Sequence, residues 1–183
     1  YQANYVYPNF PIGGGLPLDT IVIGKGGVLE RFVDQDQLNA LEEAIKKENF
    51  VPLLKSYQVY EESILPIFEK DPFENRAEFM KISRELWIHE IVSFFIGMYT
   101  EDQKAIDIIS SLRGSRNAQH VAISEYLPKL LSQISERTGI EIDLLKYTIP
   151  EELVSLNLDA DILRQRREQY VLEQIDGKSR ILI

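Results

Sequence analysis

Cysteine is absent from this chain of 183 residues. Its absence excludes disulfides, thiolate nucleophiles and Cys-based zinc or iron–sulfur sites, and it fits a cytoplasmic setting. Histidine is scarce, with two copies, His89 and His120. Positive charge is in the minority: 20 Lys and Arg face 29 Asp and Glu, a formal net charge of −9. A surface of that sign repels phosphate, so neither nucleic acid nor an anionic membrane is expected as a partner. No apolar run approaches the roughly 18 residues of a membrane span. The segment from Tyr1 has no basic n-region, so no signal peptide is expected in it. The rest is ordinary. Hydrophobic residues make up 44% and charged residues 27%, enough apolar material for one core, and the length suits one domain.

Residues 1–18 are rich in Tyr, Pro and Gly and end in Gly13-Gly-Gly15 and Pro17. That composition forbids a regular element and reads as an arm whose aromatic residues pack on the body. Thr20-Ile-Val-Ile23 and Val28-Leu-Glu-Arg-Phe-Val33 flank Gly24-Lys-Gly-Gly27, a hairpin pattern. Asp34 with Gln37 three residues on has the form of a capping box. The helix it opens runs to about Glu48, with Leu38, Leu41 and Ile45 as its stripe. Leu53, Leu54, Tyr57, Tyr60, Ile64, Leu65 and Phe68 form a second periodic set, ended or kinked by Pro66. Asp71-Pro72 marks the next start. Phe79, Ile82, Leu86, Trp87, Ile91, Phe94, Phe95 and Met98 then give a long apolar face, the expected central helix.

A shorter helix is expected from Asp102 to Leu112, broken at Gly114, and another from Asn117 to Thr138, closed by Gly139. Pro128 is a kink candidate. Thr148 is read as the cap of the following helix, with Pro150 and Glu151 in its first turn. Asp159 or Asp161 opens the last helix, and Asp176-Gly177 signals a closing hairpin. The fold class is therefore mainly α: a helical bundle-like domain with small β hairpins near the N- and C-termini. The organisation is an N-terminal arm and hairpin over residues 1–33, a helical domain over 34–168 and a C-terminal hairpin over 169–183. A chain that stops on an apolar strand, as at Ile183, is expected when the next domain begins there.

The candidate chemistry is thin. The two glycine clusters could cradle phosphate through backbone N–H groups, but neither has the spacing of a nucleotide-binding loop, and turn geometry is the preferred account. His89-Glu90 matches the start of a His-Glu-x-x-His zinc helix, yet position 93 holds Ser. A two-His site with Glu85 or Glu90 would require His120 nearby; a hydrogen-bonded structural histidine is preferred, and no metal is assigned. Arg113, Arg116, Asn117 and His120 cluster around the expected break before a helix N-terminus. Guanidinium forks beside free N–H groups suit a phosphate or carboxylate, against the alternative that they cap the helix and pair with surface carboxylates. Arg84, Trp87 and His89 are candidate pocket-lining residues on the central helix, Trp87 being equally suited to the core. Arg164, Arg166 and Arg167 suit a helix C-terminus through its dipole, with Asp159, Asp161 or Glu168 as partners. No catalytic residue is assigned among the 29 carboxylates.

The stretch Arg137-Thr-Gly-Ile-Glu-Ile-Asp-Leu-Leu-Lys-Tyr-Thr-Ile-Pro-Glu-Glu-Leu153, with Arg164-Gln-Arg-Arg-Glu-Gln-Tyr-Val171 and Asp176-Gly-Lys178, resembles a segment of the phosphoenolpyruvate-utilising enzymes. In that family, which includes phosphoenolpyruvate synthase, it lies just before the swivelling phosphohistidine domain. Gly26-Gly-Val-Leu-Glu30 and Arg84-Glu-Leu-Trp87 are weaker echoes. The resemblance implies a non-catalytic helical domain of a phosphotransferase that positions the mobile phosphohistidine domain. Its partner would be that domain or the ATP-binding domain of the same system. ATP and Mg belong to those other domains, and no cofactor is expected in this chain. The family's Gly- and Thr/Ser-rich histidine motif is absent: His89 stands in Trp-Ile-His-Glu and His120 in Ala-Gln-His-Val. No ATP-grasp signature is recognisable either, so no catalytic residue carries over. Two rival expectations stand beside it. One is a small-ligand-binding enzyme domain with an anion site at Arg113, Arg116 and His120. The other is a protein-interaction module, a homo-oligomer paired through the strand from Arg180 to Ile183.

Overall fold

Gln37 shows how the helical body is tied to the sheet. Its backbone N–H donates to the Asp34 carboxylate at 2.9 Å, the first half of the expected capping box. Its side chain does not return to the cap. Instead Oε1 accepts the Asp19 N–H and Nε2 donates to the Asp19 carboxylate. Helix α1 (Gln35–Ile45) is thereby fixed to the entry of strand β1 (Thr20–Lys25). The structure, a computed structural model, describes residues 18–25, 28–175 and 178–183. Gly13-Gly-Gly15, Gly26, Gly27 and the Asp176-Gly177 turn lie outside the described residues.

Among the described residues the molecule is mainly α. After β1 and β2 (Val28–Val33) come α1, α2 (Val51–Ser63), a 3-10 turn (Leu65–Glu69), α3 (Arg76–Tyr99) and α4 (Gln103–Thr138). The short α5 (Ile142–Leu145) and α6 (Pro150–Ser155) follow. Then α7 (Ala160–Glu168) leads into β3 (Gln169–Ile175) and β4 (Lys178–Leu182). The two expected hairpins are not separate. β1 pairs antiparallel with β3, Val22 opposite Leu172, so one sheet forms in the order β2-β1-β3-β4. Alternate residues Val22, Tyr170 and Leu172 face inward, as the two-residue period of a strand requires. Gly24 belongs to β1 rather than to a turn. A Cβ there would lie 2.4 Å from the Tyr170 ring, so only glycine admits this packing.

Three element boundaries differ from the sequence expectation. Asp71-Pro72 opens a turn, with the Asp71 carboxylate accepting the Glu74 N–H, and α3 proper starts at Arg76. Thr148 does not cap α6: its hydroxyl donates to the Leu145 carbonyl, and Glu152 reaches back to the Ile149 N–H. The largest difference is α4, a single helix of 36 residues through Gly114, where a break was expected. At 1.5 Å per residue it is about 54 Å long. It also runs through Pro128, whose ring lacks the N–H that would bond the Ser124 carbonyl. The continuous ladder survives because one face is buried along its length: Ala105, Ile109, Leu112, Tyr126, Leu130 and Ile134. Tertiary burial outweighs about 1 kcal/mol of glycine propensity. Gly139, at φ 73°, ends the helix in the left-handed conformation expected of it.

The core has two main clusters along α3 and α4. One joins Leu41, Ile45, Leu54 and Tyr57 to Val92, Ile96 and Leu112. The other joins Phe79 and Met80 to Tyr126, Leu130, Leu145 and Leu153. The region between them is where polar groups enter the interior.

Candidate functional site

Glu61 on α2 and Arg116 on α4 meet inside the molecule, 1% and 4% exposed. Arg116 Nε donates to Glu61 Oε2 at 2.9 Å and Nη2 to Oε1 at 2.6 Å. Nη2 also reaches the Ser93 hydroxyl at 3.2 Å, which itself donates to the His89 carbonyl. Gln119, one turn on from Arg116, donates to the Glu61 backbone carbonyl at 3.0 Å. Burial pushes the Glu61 carboxyl up, but the contacts from His89 and Arg116 outweigh it and leave its pKa below the usual value. Such a pair is costly to bury and more costly to break, since the survivor would be an uncompensated charge.

His89 faces this pair from α3. Its ring stacks on Tyr57, centroids 3.7 Å apart, and meets Tyr60 edge-on. Its Nδ1 lies 3.3 Å from Glu61 Oε1 without forming an aligned hydrogen bond. Burial pushes the Tyr57 phenol up to about 12. The Tyr60 phenol is also raised, first by burial and then by its hydrogen bond to Glu85.

Beside Arg116, between α3 and α4, there is a cavity of about 70 Å³. Its walls are apolar at Phe79, Leu86, Trp87, Ile123 and Leu127, and polar at Ser83, Glu90, Arg116, Gln119 and His120. A wider hollow of about 410 Å³ adjoins it, sharing Glu90, Arg116 and His120 and adding Ser93, Phe94, Arg113, Gly114 and Asn117. Two polar atoms of the inner cavity's lining residues, Ser83 Oγ and Trp87 Nε1, are buried with no hydrogen-bond partner. An indole N–H has no alternative role as an acceptor, and a buried donor left unpaired costs about 1–3 kcal/mol. Arg116 contributes a third group: its hydrogen bonds all run through Nε and Nη2, leaving Nη1 uncommitted.

The residues singled out from the sequence are thus partly brought together. Arg113, Arg116, Asn117 and His120 do line one hollow, but the helix N-terminus on which the anion reading drew does not exist, because α4 is continuous. Arg116 is held by Glu61 rather than standing free, while Arg113 and Asn117 are exposed. His120 sits half-buried, its Nε2 3.6 Å from Glu90. Trp87 lines the inner cavity. Arg84 is exposed and lines neither space, and His89 turns toward α2. The two histidines therefore do not converge, and among the described residues no group of three His, Asp or Glu side chains is placed to hold a metal ion. Arg166 stands in the last turn of α7 as expected, but its partner is none of those expected: it is buried and grips Glu152 through both terminal nitrogens at 2.7 and 2.9 Å. Arg164 and Arg167 pair at the surface with Asp161 and Glu168.

Sequence reasoning missed Glu61, Ser83 and Gln119. Glu61 had a usable signal. It falls at the i+4 position from Tyr57 and three before Ile64, on a buried stripe, as Arg116 falls four after Leu112. Two opposite charges on two apolar stripes mark a buried ion pair.

No family model matches the chain, and no curated protein or solved structure matches it.

Proposed function

We propose that the chain is a small-ligand-binding domain whose site is the cleft between α3 and α4. The observation that carries this reading is the pair of unpartnered buried polar atoms, Ser83 Oγ and Trp87 Nε1, on residues lining a cavity that opens beside polar groups. A concave, mostly apolar space with a few convergent polar groups is the usual form of a ligand site. The cleft also joins the Trp87 region to Arg113 and His120, as a ligand-binding domain requires and a packed connector does not.

Trp87 is the only tryptophan of the chain, so its fluorescence reports on the cavity wall. Titration with a set of small amphiphiles should shift or quench that emission. The change should vanish in Ile123→Phe and Leu127→Phe, which fill the cavity from adjacent turns of α4. Emission unmoved by every compound, or moved equally in both filled variants, would refute the site.

The phosphotransferase connector is a second proposal, carried by the resemblance over residues 137–178. Those residues form α5, α6, α7 and β3, whereas the cleft is lined from residues 79–127. On that reading the chain neither hydrolyses ATP nor takes up phosphate on His89 or His120. Phosphohistidine at either, after incubation with ATP or phosphoenolpyruvate, counts against it.

A further inference from the structure

We infer that the outer face of the sheet is the contact surface for a second copy of this chain, packed sheet to sheet about a two-fold axis. The helical body covers one face, where Val22, Tyr170 and Leu172 are buried. The register sets Phe32, Ile21, Glu173 and Arg180 in one row across the other face, and Glu30, Ile23, Val171 and Leu182 in the next. The two-residue period of a strand adds Val28 and Ile175 to that face. Phe32 is 52% exposed and Val28 64%, and Leu182 and Ile175 are exposed as well. Ile21, Ile23 and Val171 are half-buried and join no core cluster among the described residues. Apolar side chains gathered on one open face mark an interaction surface, as singly scattered ones do not.

Charge selects the occupant. The chain carries −9, so two copies repel each other over most of their surface. On this face the described side chains balance, Lys25 and Arg180 against Glu30 and Glu173. Their placement is also self-complementary. Arg180 lies at the β4 edge, paired with Glu173. Glu30 lies at the β2 edge, exposed and with no ion-pair partner among the described residues. A two-fold axis parallel to the strands lays β2 of one copy over β4 of the other, and β1 over β3. Ile23 of one copy then faces Val171 of the other, and Glu30 comes within one row of Arg180. Sheets stack about 10 Å apart in this way, their side chains interdigitating. Four strands about 4.8 Å apart and about six residues long make a face of roughly 19 by 20 Å. That places the contact among the small interfaces, below about 1,200 Å² in total, that associate reversibly.

The test is sedimentation equilibrium of the intact chain from micromolar to millimolar concentration. A reversible dimer, twice the mass of one chain, is expected. Phe32→Glu places a charge on the face and leaves the backbone of both strand edges free. It should weaken the dimer at least tenfold with helical circular dichroism unchanged. If that variant loses its helical signal, Val28→Glu, at a more exposed side chain of the same face, gives the reading instead. Glu30→Arg should weaken the dimer several-fold, and adding Arg180→Glu should restore most of it. Because Glu30→Arg lowers the overall negative charge, that weakening cannot come from general repulsion. A single-chain mass at every concentration overturns the inference. So does a dimer indifferent to these face variants, which places the contact at a strand edge or on the helices. A monomer that dimerises only after removal of residues 1–17 also overturns it and gives the face to that segment.

Discussion

Arg116 grips Glu61 with a fork, Nε and Nη2 at 2.9 and 2.6 Å from the two carboxylate oxygens, and both side chains are buried. The contact joins α2 to α4 at the level where the two apolar clusters meet. Glu61→Leu or Arg116→Met alone should therefore destabilise by about 3–5 kcal/mol, because each leaves a buried charge without its partner. The double variant Glu61→Leu/Arg116→Met should recover much of that loss. Urea midpoints of the three proteins, with an unchanged dependence on denaturant, check it. Additive single losses would mean that the pair does not act as a unit.

The same pair contributes to the acid sensitivity of the fold. In the folded state the Glu61 carboxyl lies below its ordinary value of 4.5. Its stabilisation is therefore fully present above that value and is lost as pH falls through the folded pKa. Part of the acid unfolding between about pH 5 and the folded value should disappear in Glu61→Gln, measured by helical circular dichroism against pH. At the alkaline end the sign reverses. Burial raises the Tyr57 phenol to about 12, so stability present below an ordinary tyrosine value of about 10 is lost as pH rises toward 12. Tyr57→Phe should flatten that alkaline loss.

Two glycines should respond to alanine in opposite directions. At Gly24 a Cβ would enter the Tyr170 ring at 2.4 Å, and Gly24→Ala should cost about 1–3 kcal/mol by overpacking. At Gly114, inside α4, a Cβ would meet nothing within 4 Å. Gly114→Ala should stabilise by about 0.5–1 kcal/mol through the unfolded chain. Thermal melts of both variants decide this, and a destabilised Gly114→Ala would mean that α4 is interrupted there after all.

Glu152 ties the segment after α4 to α7. It accepts the Ile149 N–H at 3.0 Å and both terminal nitrogens of Arg166. Glu152→Ala should cost about 3 kcal/mol because Arg166 is buried. Asp161→Asn, which removes an exposed partner of Arg164, should cost well under 1 kcal/mol. Denaturation of the two variants side by side separates the buried contact from the surface one.

What the sequence made legible was local. Asp34 and Asp159 cap helices through their carboxylates, Gly139 ends one, and Leu41 and Ile45 are buried in register with their stripe. The missed items share a cause, which is that their partners are remote in the chain. Gly114 looked like a break because its neighbours are polar, yet Leu112 and Arg116 on either side are buried by other helices. Gln37 had the right spacing for a capping box and was claimed by Asp19 instead. For the site, four polar residues were found close in sequence and do line one hollow, but the decisive atoms are on Ser83 and Trp87, one turn apart on another helix. An unpaired hydroxyl or indole N–H leaves no trace in residue order.

The β1–β3 pairing places Thr20 opposite Gln174, with almost the whole helical body threaded between them. Contacts that distant in sequence must wait for the intervening chain to be ordered, since closing so long a loop has an entropic cost before any bond rewards it. The central strands of this sheet then join each other late in folding, after each has its hairpin partner. Until they do, β1 and β3 are each paired only with the neighbouring strand of their own hairpin, Ile21 with Phe32 and Val171 with Leu182, and each leaves one edge open, the exposed state from which intermolecular pairing begins. The helices, whose contacts are nearer in sequence, set the stage; the rate at which the two ends meet sets how long the chain remains open to association.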